Sequence, residues 1–200
     1  MDSQLTMRTH VQTICRTSFY QLRQLRVVRR SLSVSACTAL VHAFITSRLD
    51  YCNSLLAGIG EGLINQLQSV VRVAARLVLR RRKFDPISVD IRDLLHWLPI
   101  HQRINFKLGL LVYKCLHGMA PPYLAEMLEL KSDIPSLRRL RSTARGDLLV
   151  PRTKTKTFGP RGFASTGPTL WNSLPDDLRD QSLSLVVFKQ RLKTFLFKQF

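Results

Sequence analysis

Acidic residues are scarce in this chain. Its 200 residues carry 13 Asp and Glu against 31 Lys and Arg, a formal charge of +18, and the isoelectric point lies near 10.9. So large an excess of one sign goes beyond what solubility requires, and its self-repulsion is relieved by an acidic polymer. RNA and/or DNA is the partner this composition selects. Long apolar runs are also missing. No stretch approaches the ~18 consecutive apolar residues of a membrane-spanning helix, and residues 1–25 hold no apolar signal-peptide block. No membrane partner is expected, and the location is expected to be intracellular, nuclear and/or cytoplasmic.

The chemistry of an enzyme is equally thin. The four cysteines, Cys15, Cys37, Cys52 and Cys115, are far apart and lie on or beside apolar helix faces, so they read as small reduced core residues. His96 and His101 are five apart across a proline, and Cys115 and His117 are two apart, which is not zinc-site spacing. No metal and no cofactor are expected. Gly58, Gly60 and Gly62 have no following Lys-Ser/Thr and no preceding strand, so they mark the end of one helix and the start of the next rather than a phosphate loop. Tyr51-Cys52-Asn53 offers a thiol but no activating base beside it. Asp176-Asp177 is the only Asp-Asp, and it opens a polar turn with no apolar strand to deliver it, unlike a carboxylate pair that holds catalytic metals. No catalytic residue is assigned, and no internal repeat is present.

What the chain does have is a 45% hydrophobic content arranged at helical spacing. Val11, Ile14, Cys15, Phe19, Leu22 and Leu25 predict a first amphipathic helix. Ser33 or Ser35 caps a second, with Cys37, Leu40, Val41, Phe44 and Ile45 as its stripe. From Leu63 a third carries Leu67, Val70, Val71, Ala74, Leu77 and Val78 on one side. Arg72, Arg76 and Arg80 follow at four-residue spacing on another side, continued by Arg81, Arg82 and Lys83. Like charges in such a row destabilise an isolated helix, so phosphates along the row are the partner that makes sense of it. Asp85-Pro86 predicts the cap and first turn of a short helix with Ile87, Ile91, Leu94 and Leu95. The organising element is the run from Pro99 to Gly118. Ile100, Ile104, Leu108, Leu111, Val112 and Cys115 share one face, and Phe106, Leu110, Tyr113 and His117 make a second, so this helix is expected to be central. Trp97 reads as a core anchor at its entrance.

Beyond Pro121-Pro122 and a short helix the composition changes. Residues 131–168 are rich in Arg, Ser, Thr, Gly and Pro, and predict an extended basic arm with short strands at 147–150 and 152–158. Arg152, Lys154 and Lys156 would line one edge of it as phosphate contacts. Trp171 is expected to pin this arm to the helical core, and Ser182 or Ser184 caps a last helix with Leu185, Phe188, Leu192 and Phe195 inward. The fold class is therefore mainly α: a helical bundle around residues 99–117 over residues 1–130, a basic arm over 131–168, and a C-terminal segment with an amphipathic helix over 169–200.

Several of these segments carry a further signal. His96-Trp97-Leu98-Pro99, Arg103-Ile104, Tyr113-Lys114 and His117-Gly118-x-Ala120-Pro121-x-Tyr123-Leu124 resemble the C-terminal region of reverse transcriptases from non-LTR retrotransposons, the jockey-like long interspersed elements. Ser47-Arg48-Leu49-Asp50-Tyr51-Cys52-Asn53, Ala74-Ala75-Arg76-Leu77-Val78, Val150-Pro151-Arg152-Thr153 and Leu170-Trp171-Asn172-Ser173-Leu174-Pro175 resemble further blocks of that family, in family order. The pattern departs at Pro86, where the family usually has His, and at Val89, where it often has Pro. The resemblance implies the thumb-side, post-palm part of an RNA-directed DNA polymerase, which helps hold template RNA and target DNA. It also implies that the catalytic palm lies upstream, outside this chain. On that expectation the chain binds nucleic acid, catalyses nothing alone, and works with a polymerase core supplied by another chain. The alternatives are a non-functional element relic and a helical protein-interaction module.

Overall fold

The computed structural model describes residues 6–134, 146–155 and 158–199. They are mainly helical and, among the described residues, form no strand. The chain divides into two compact units, one built from residues up to Arg103 and the other from Ile104 to Gln199, with the division inside a single helix.

The first unit begins with α1 (Arg8–Val28), which buries Val11, Ile14, Cys15, Ser18, Leu22 and Leu25. That stripe packs on α4 (Glu61–Val78), whose Ile64, Leu67, Val70, Val71, Ala74, Ala75, Leu77 and Val78 are buried in turn. Between them, Ser33 caps α2 (Val34–Val41) by accepting a 3.1 Å hydrogen bond from the Ala36 amide. α2 passes through a π turn (His42–Thr46) into α3 (Ser47–Asp50). The π turn answers a peculiarity of the buried stripe. Cys37, Val41, Ile45 and Leu49 are each four residues apart, a spacing that drifts by about 40° per step on an α-helix. A wider turn takes up that drift, so all four stay on the core side.

α5 (Ser88–Asp93) differs from its sequence expectation. Asp85 does not cap it. Its carboxylate instead accepts from the Arg82 amide at 2.9 Å, closing a turn that precedes the helix. Trp97 is buried, as its apolar neighbours imply, and its amide donates to the Ile91 carbonyl. α6 (Ile100–Leu116) then starts with its first amide satisfied by the Gln68 side chain of α4 at 2.9 Å. Arg103 donates Nε to the Leu98 carbonyl and Nη1 to both carboxylate oxygens of Asp50, at 3.1 and 3.0 Å. This ion pair fastens α3 to the first turn of α6.

The second unit contains the rest of α6, on which only Lys107 is exposed. α7 (Pro122–Ala125), α8 (Phe163–Ser173) and α9 (Leu185–Lys198) complete it. Tyr113 stacks between His117 and Phe188, at 3.8 and 4.4 Å, and Trp171 tilts against Phe188 at 6.0 Å. Leu192 lies over Gly109, where an added Cβ would come within 3.0 Å of its Cδ2. Gly118, with φ +66°, ends α6 as its position predicts.

Among the described residues of 147–150 and 152–158 the expected strands are absent. Around residue 148 the backbone makes one isolated antiparallel bridge with Leu130. The reason is Asn172, whose side-chain oxygen accepts from the Leu148 amide and whose amide donates to the Leu148 carbonyl, both at 2.8 Å. A side chain thus occupies the hydrogen-bonding edge that a neighbouring strand would need. Trp171 adds a bond from Nε1 to the Gly146 carbonyl, so the Trp-Asn pair holds residues 146–148 against α8. α8 itself begins inside the segment expected to be extended. Its glycine and proline are packing residues: Gly167 and Pro168 are buried, and a Cβ on Gly167 would come within 3.1 Å of Val112. Asp176 belongs to a 3-10 turn and, with Asp147, grips the buried Arg179 guanidinium.

Two outcomes test this arrangement. Cys15, Cys37 and Cys115 are buried, and burial pushes each thiol above its ordinary value, whereas Cys52 is exposed. A thiol-alkylating reagent should therefore label Cys52 alone in the native protein and the other three only on unfolding, read by mass spectrometry. His42 keeps one edge in water, but burial against Trp97 at 5.4 Å and the Arg103 charge lower its pKa below 6.5, outweighing the opposing Asp50. Because the folded value is depressed, its contribution to stability is full above about 6.5 and is lost as pH falls through the folded value. NMR titration of the imidazole should give a midpoint below 6.5; a midpoint at or above it would remove this linkage.

Candidate nucleic-acid interface

α1 and α4 are packed side by side, and both end at the same place. Their last turns expose carbonyls that have no partner within the helix, and each helix end carries about half a negative charge. Arginines gather there. Arg29, in the 3-10 turn (Arg29–Ser31) after α1, is 6% exposed. Its guanidinium donates Nε to the Leu77 carbonyl at 2.8 Å, Nη2 to Val78 at 2.7 Å and Nη1 to Leu32 at 2.8 Å. It closes the end of α4 and ties α1 to it.

The end of α4 corrects the expected arginine row. The helix stops at Val78, and Arg80 adopts the left-handed conformation with φ +54°. The Arg81 amide then donates back to the Arg76 carbonyl at 2.9 Å, the reverse turn that usually takes glycine at the left-handed position. Arg80 is therefore off the helical row, though it stays near Arg76. Arg76 donates Nε and Nη2 to the Asp85 carbonyl at 3.2 and 2.9 Å, which holds the 82–85 turn. Arg81 pairs with Asp90 at 2.8 Å.

These elements enclose a groove of about 670 Å³ lined by Arg26, Arg29, Arg30, Arg76, Arg80, Arg81 and Lys83, with Val73 and Leu77 as its apolar part. Seven cations meet in one concavity. Of these seven, among the described residues, only Arg81 has a carboxylate partner; Arg29 and Arg76 spend their donors on neutral carbonyls and keep their charge. Setting Asp90 and two helix ends of about half a charge each against seven cations leaves about five positive charges uncompensated. Helix capping accounts for a part of the cluster and leaves most of it unexplained. The field reaches the core beneath: Arg29 and Arg80 both lower the Cys37 thiol, against the larger effect of burial.

Of the residues selected from sequence, Arg76, Arg80, Arg81 and Lys83 come together in the groove. Arg72, exposed on α4, and Arg82 do not line it. Arg152 and Lys154 belong to the second unit, where they are exposed on a segment without regular structure, and Lys156 lies outside the described residues, as do Arg138, Arg139, Arg141 and Arg145. Thr155 does not offer its hydroxyl freely, since that oxygen accepts from the Gly159 amide at 2.8 Å. Sequence reasoning missed Arg26, Arg29 and Arg30. The signal was present: between Asp2 and Asp50 there is no acidic residue at all, and the first helix ends in Arg29-Arg30. Among the described residues no helix is long and apolar enough to cross a membrane, and no group of three His, Cys, Asp or Glu is placed to hold a metal ion. Comparison with known protein families, with curated proteins and with solved structures finds no match.

A left-handed arginine costs about 1–2 kcal/mol relative to a residue without a Cβ. Replacing it by glycine returns part of this to unfolded-chain entropy. Arg80→Gly should therefore raise stability in urea unfolding by roughly 0.5–1 kcal/mol. A destabilised Arg80→Gly variant would show that the arginine side chain is needed for the fold.

Proposed function

We propose that this chain is a nucleic-acid-binding module, and that it is the C-terminal, post-palm part of an RNA-directed DNA polymerase of the non-LTR retrotransposon type, without the catalytic palm. The observation that carries the first half is the groove with about five uncompensated positive charges on a framework that already satisfies its own hydrogen bonds. Phosphate oxygens supply the charge it lacks. The second half rests on the order of the sequence blocks from Ser47-Arg48-Leu49-Asp50 to Leu170-Trp171-Asn172. Structural roles for several of those residues support reading the blocks as framework positions: in the first unit Asp50 pairs with Arg103, and in the second Asn172 clamps Leu148. The chain performs no catalysis by itself in this reading. Asp176, half of its only Asp-Asp, is engaged with Arg179. The polymerase core is its partner, supplied by another chain.

A second reading, a protein-interaction module, is favoured by Val27, Val28 and Val34, which are 78%, 48% and 53% exposed near the end of α1. Association through that patch would be apolar and only weakly salt-dependent.

The two readings separate in a salt series. Neutralising about five phosphates gives a slope of log K against log salt of about −3.5 on single strands and about −4.5 on duplex DNA. Arg26, Arg30 and Lys83 make no side-chain hydrogen bond or ion pair among the described residues, so Arg26→Gln, Arg30→Gln and Lys83→Gln together should flatten the single-strand slope by about 2 and leave the circular dichroism unchanged. Arg16→Gln, Arg48→Gln and Lys189→Gln, on exposed positions away from the groove lining, should leave the slope as it was. Equal effects of the two triple variants would remove the groove as the binding surface.

A further inference from the structure

The most exposed large apolar side chain among the described residues is Phe84, at 87%. Solvent-facing phenylalanine is ordinary on a mobile tail, but Phe84 sits on one of the most tightly fastened turns of the first unit. The Asp85 amide donates to the Arg82 carbonyl at 3.3 Å and the Asp85 carboxylate accepts from the Arg82 amide at 2.9 Å, closing the turn on itself. The Asp85 carbonyl is held from α4 by two bonds from Arg76. Arg81, just before the turn, is paired with Asp90 of α5. Pro86, just after it, fixes its own φ and restricts Asp85 to extended conformations. The ring is thus presented to water by a framework that has no freedom to bury it.

Its position is set by its neighbour. Lys83 lines the cationic groove, and its ammonium lies 5.1 Å from the centroid of the Phe84 ring. An aromatic face therefore stands at the rim of a phosphate-binding groove, with a cation between them. Proteins that hold single strands combine these two parts: cations follow the backbone while aromatic faces accept the bases, which stack without regard to sequence. A duplex cannot use the ring in this way, because its bases are already stacked on each other.

We infer that Phe84 is a stacking platform for an unpaired nucleobase, and that the groove of the first unit takes single-stranded RNA or DNA in preference to duplex. This rests on the groove reading above and adds the base to the phosphates. The strand runs its phosphates along Arg26, Arg30, Arg80 and Lys83 and lays one base on the ring of Phe84. Backbone charge supplies the salt dependence, and the ring supplies an increment that salt does not remove.

The test uses two oligonucleotides of equal length and phosphate count, oligouridylate and the same backbone with abasic sugars, bound to the full chain and followed by fluorescence anisotropy. Uridines stack little on one another, so a gain from the protein ring is not offset by lost stacking in the free strand. The native chain should bind the base-bearing strand about tenfold more tightly than the abasic one. Phe84→Ala should abolish that difference while leaving abasic affinity and the salt slope unchanged, and Phe84→Trp should restore it. A Phe84→Ala chain that keeps the preference, or loses affinity for both strands alike, overturns the platform while the groove stands. Absence of salt-dependent binding to either strand overturns the groove and the platform with it.

Discussion

The first unit depends on one guanidinium. Arg29 donates to three carbonyls on two sides of a helix junction, and without it the buried Leu77 carbonyl would keep only backbone donors such as the distant Arg80 amide, at 3.5 Å, while Val78 would lose the guanidinium that caps it. Hydrogen bonds from a charged donor contribute about 1.5–3 kcal/mol each where the acceptor is otherwise buried. That is enough to hold a charged group in a place only 6% open to water. The consequence is geometric as well as energetic. Because Arg29 brings the ends of α1 and α4 together, the cations that follow each end are forced into one concavity. Arg26 and Arg30 on one side face Arg76 and Arg80 on the other because a residue between them has closed the gap.

The second unit solves a different problem with a similar economy of means. Its segment around residue 148 has a backbone edge but only an isolated bridge to pair with it, and Asn172 presents an amide that mimics the missing peptide. Trp171, next to it, buries its ring in the core and still reaches the Gly146 carbonyl. A buried indole needs such an acceptor. Arg179, also buried, is balanced by Asp147 and Asp176, so the charge deep in this unit is matched. The contrast with the first unit lies in the matching: Arg179 has two carboxylates and Arg29 three carbonyls, while several cations that line the groove have no carboxylate partner among the described residues.

Helix existence was legible in the sequence because apolar spacing is a direct consequence of 3.6 residues per turn. The stripes of α1, α4 and α6 follow their predicted spacing, except that on α1 Phe19 is exposed and Ser18 is buried instead, and Ser33, Ser184 and Gly118 cap as their chemistry suggests. Three things were not legible. The end of α4 depends on Arg80 entering a conformation that arginine rarely takes, so nothing in its own side chain announces it. The strands expected at 147–150 and 152–158 do not form among the described residues: at Leu148 the partner of the backbone edge is a side chain 24 residues away, and over 152–155 threonine alternation alone resembles a strand. The lining of the groove was half visible, since Arg76 to Lys83 are contiguous in sequence and Arg26 to Arg30 reach them only through the packing of α1 on α4. Contact between distant helices is information that periodicity does not carry.

A concavity with about five unmatched cations is not empty in solution. On the function proposed above, a polyphosphate strand entering it would displace the small anions such a field attracts as it sheds its own condensed cations. Association of that kind would be an exchange of ions on both sides, driven by their release into bulk water rather than by the heat of new contacts. The identity of the anion then matters alongside its concentration. A strongly hydrated, weakly held anion such as glutamate leaves the groove more open to a strand than chloride does at the same ionic strength.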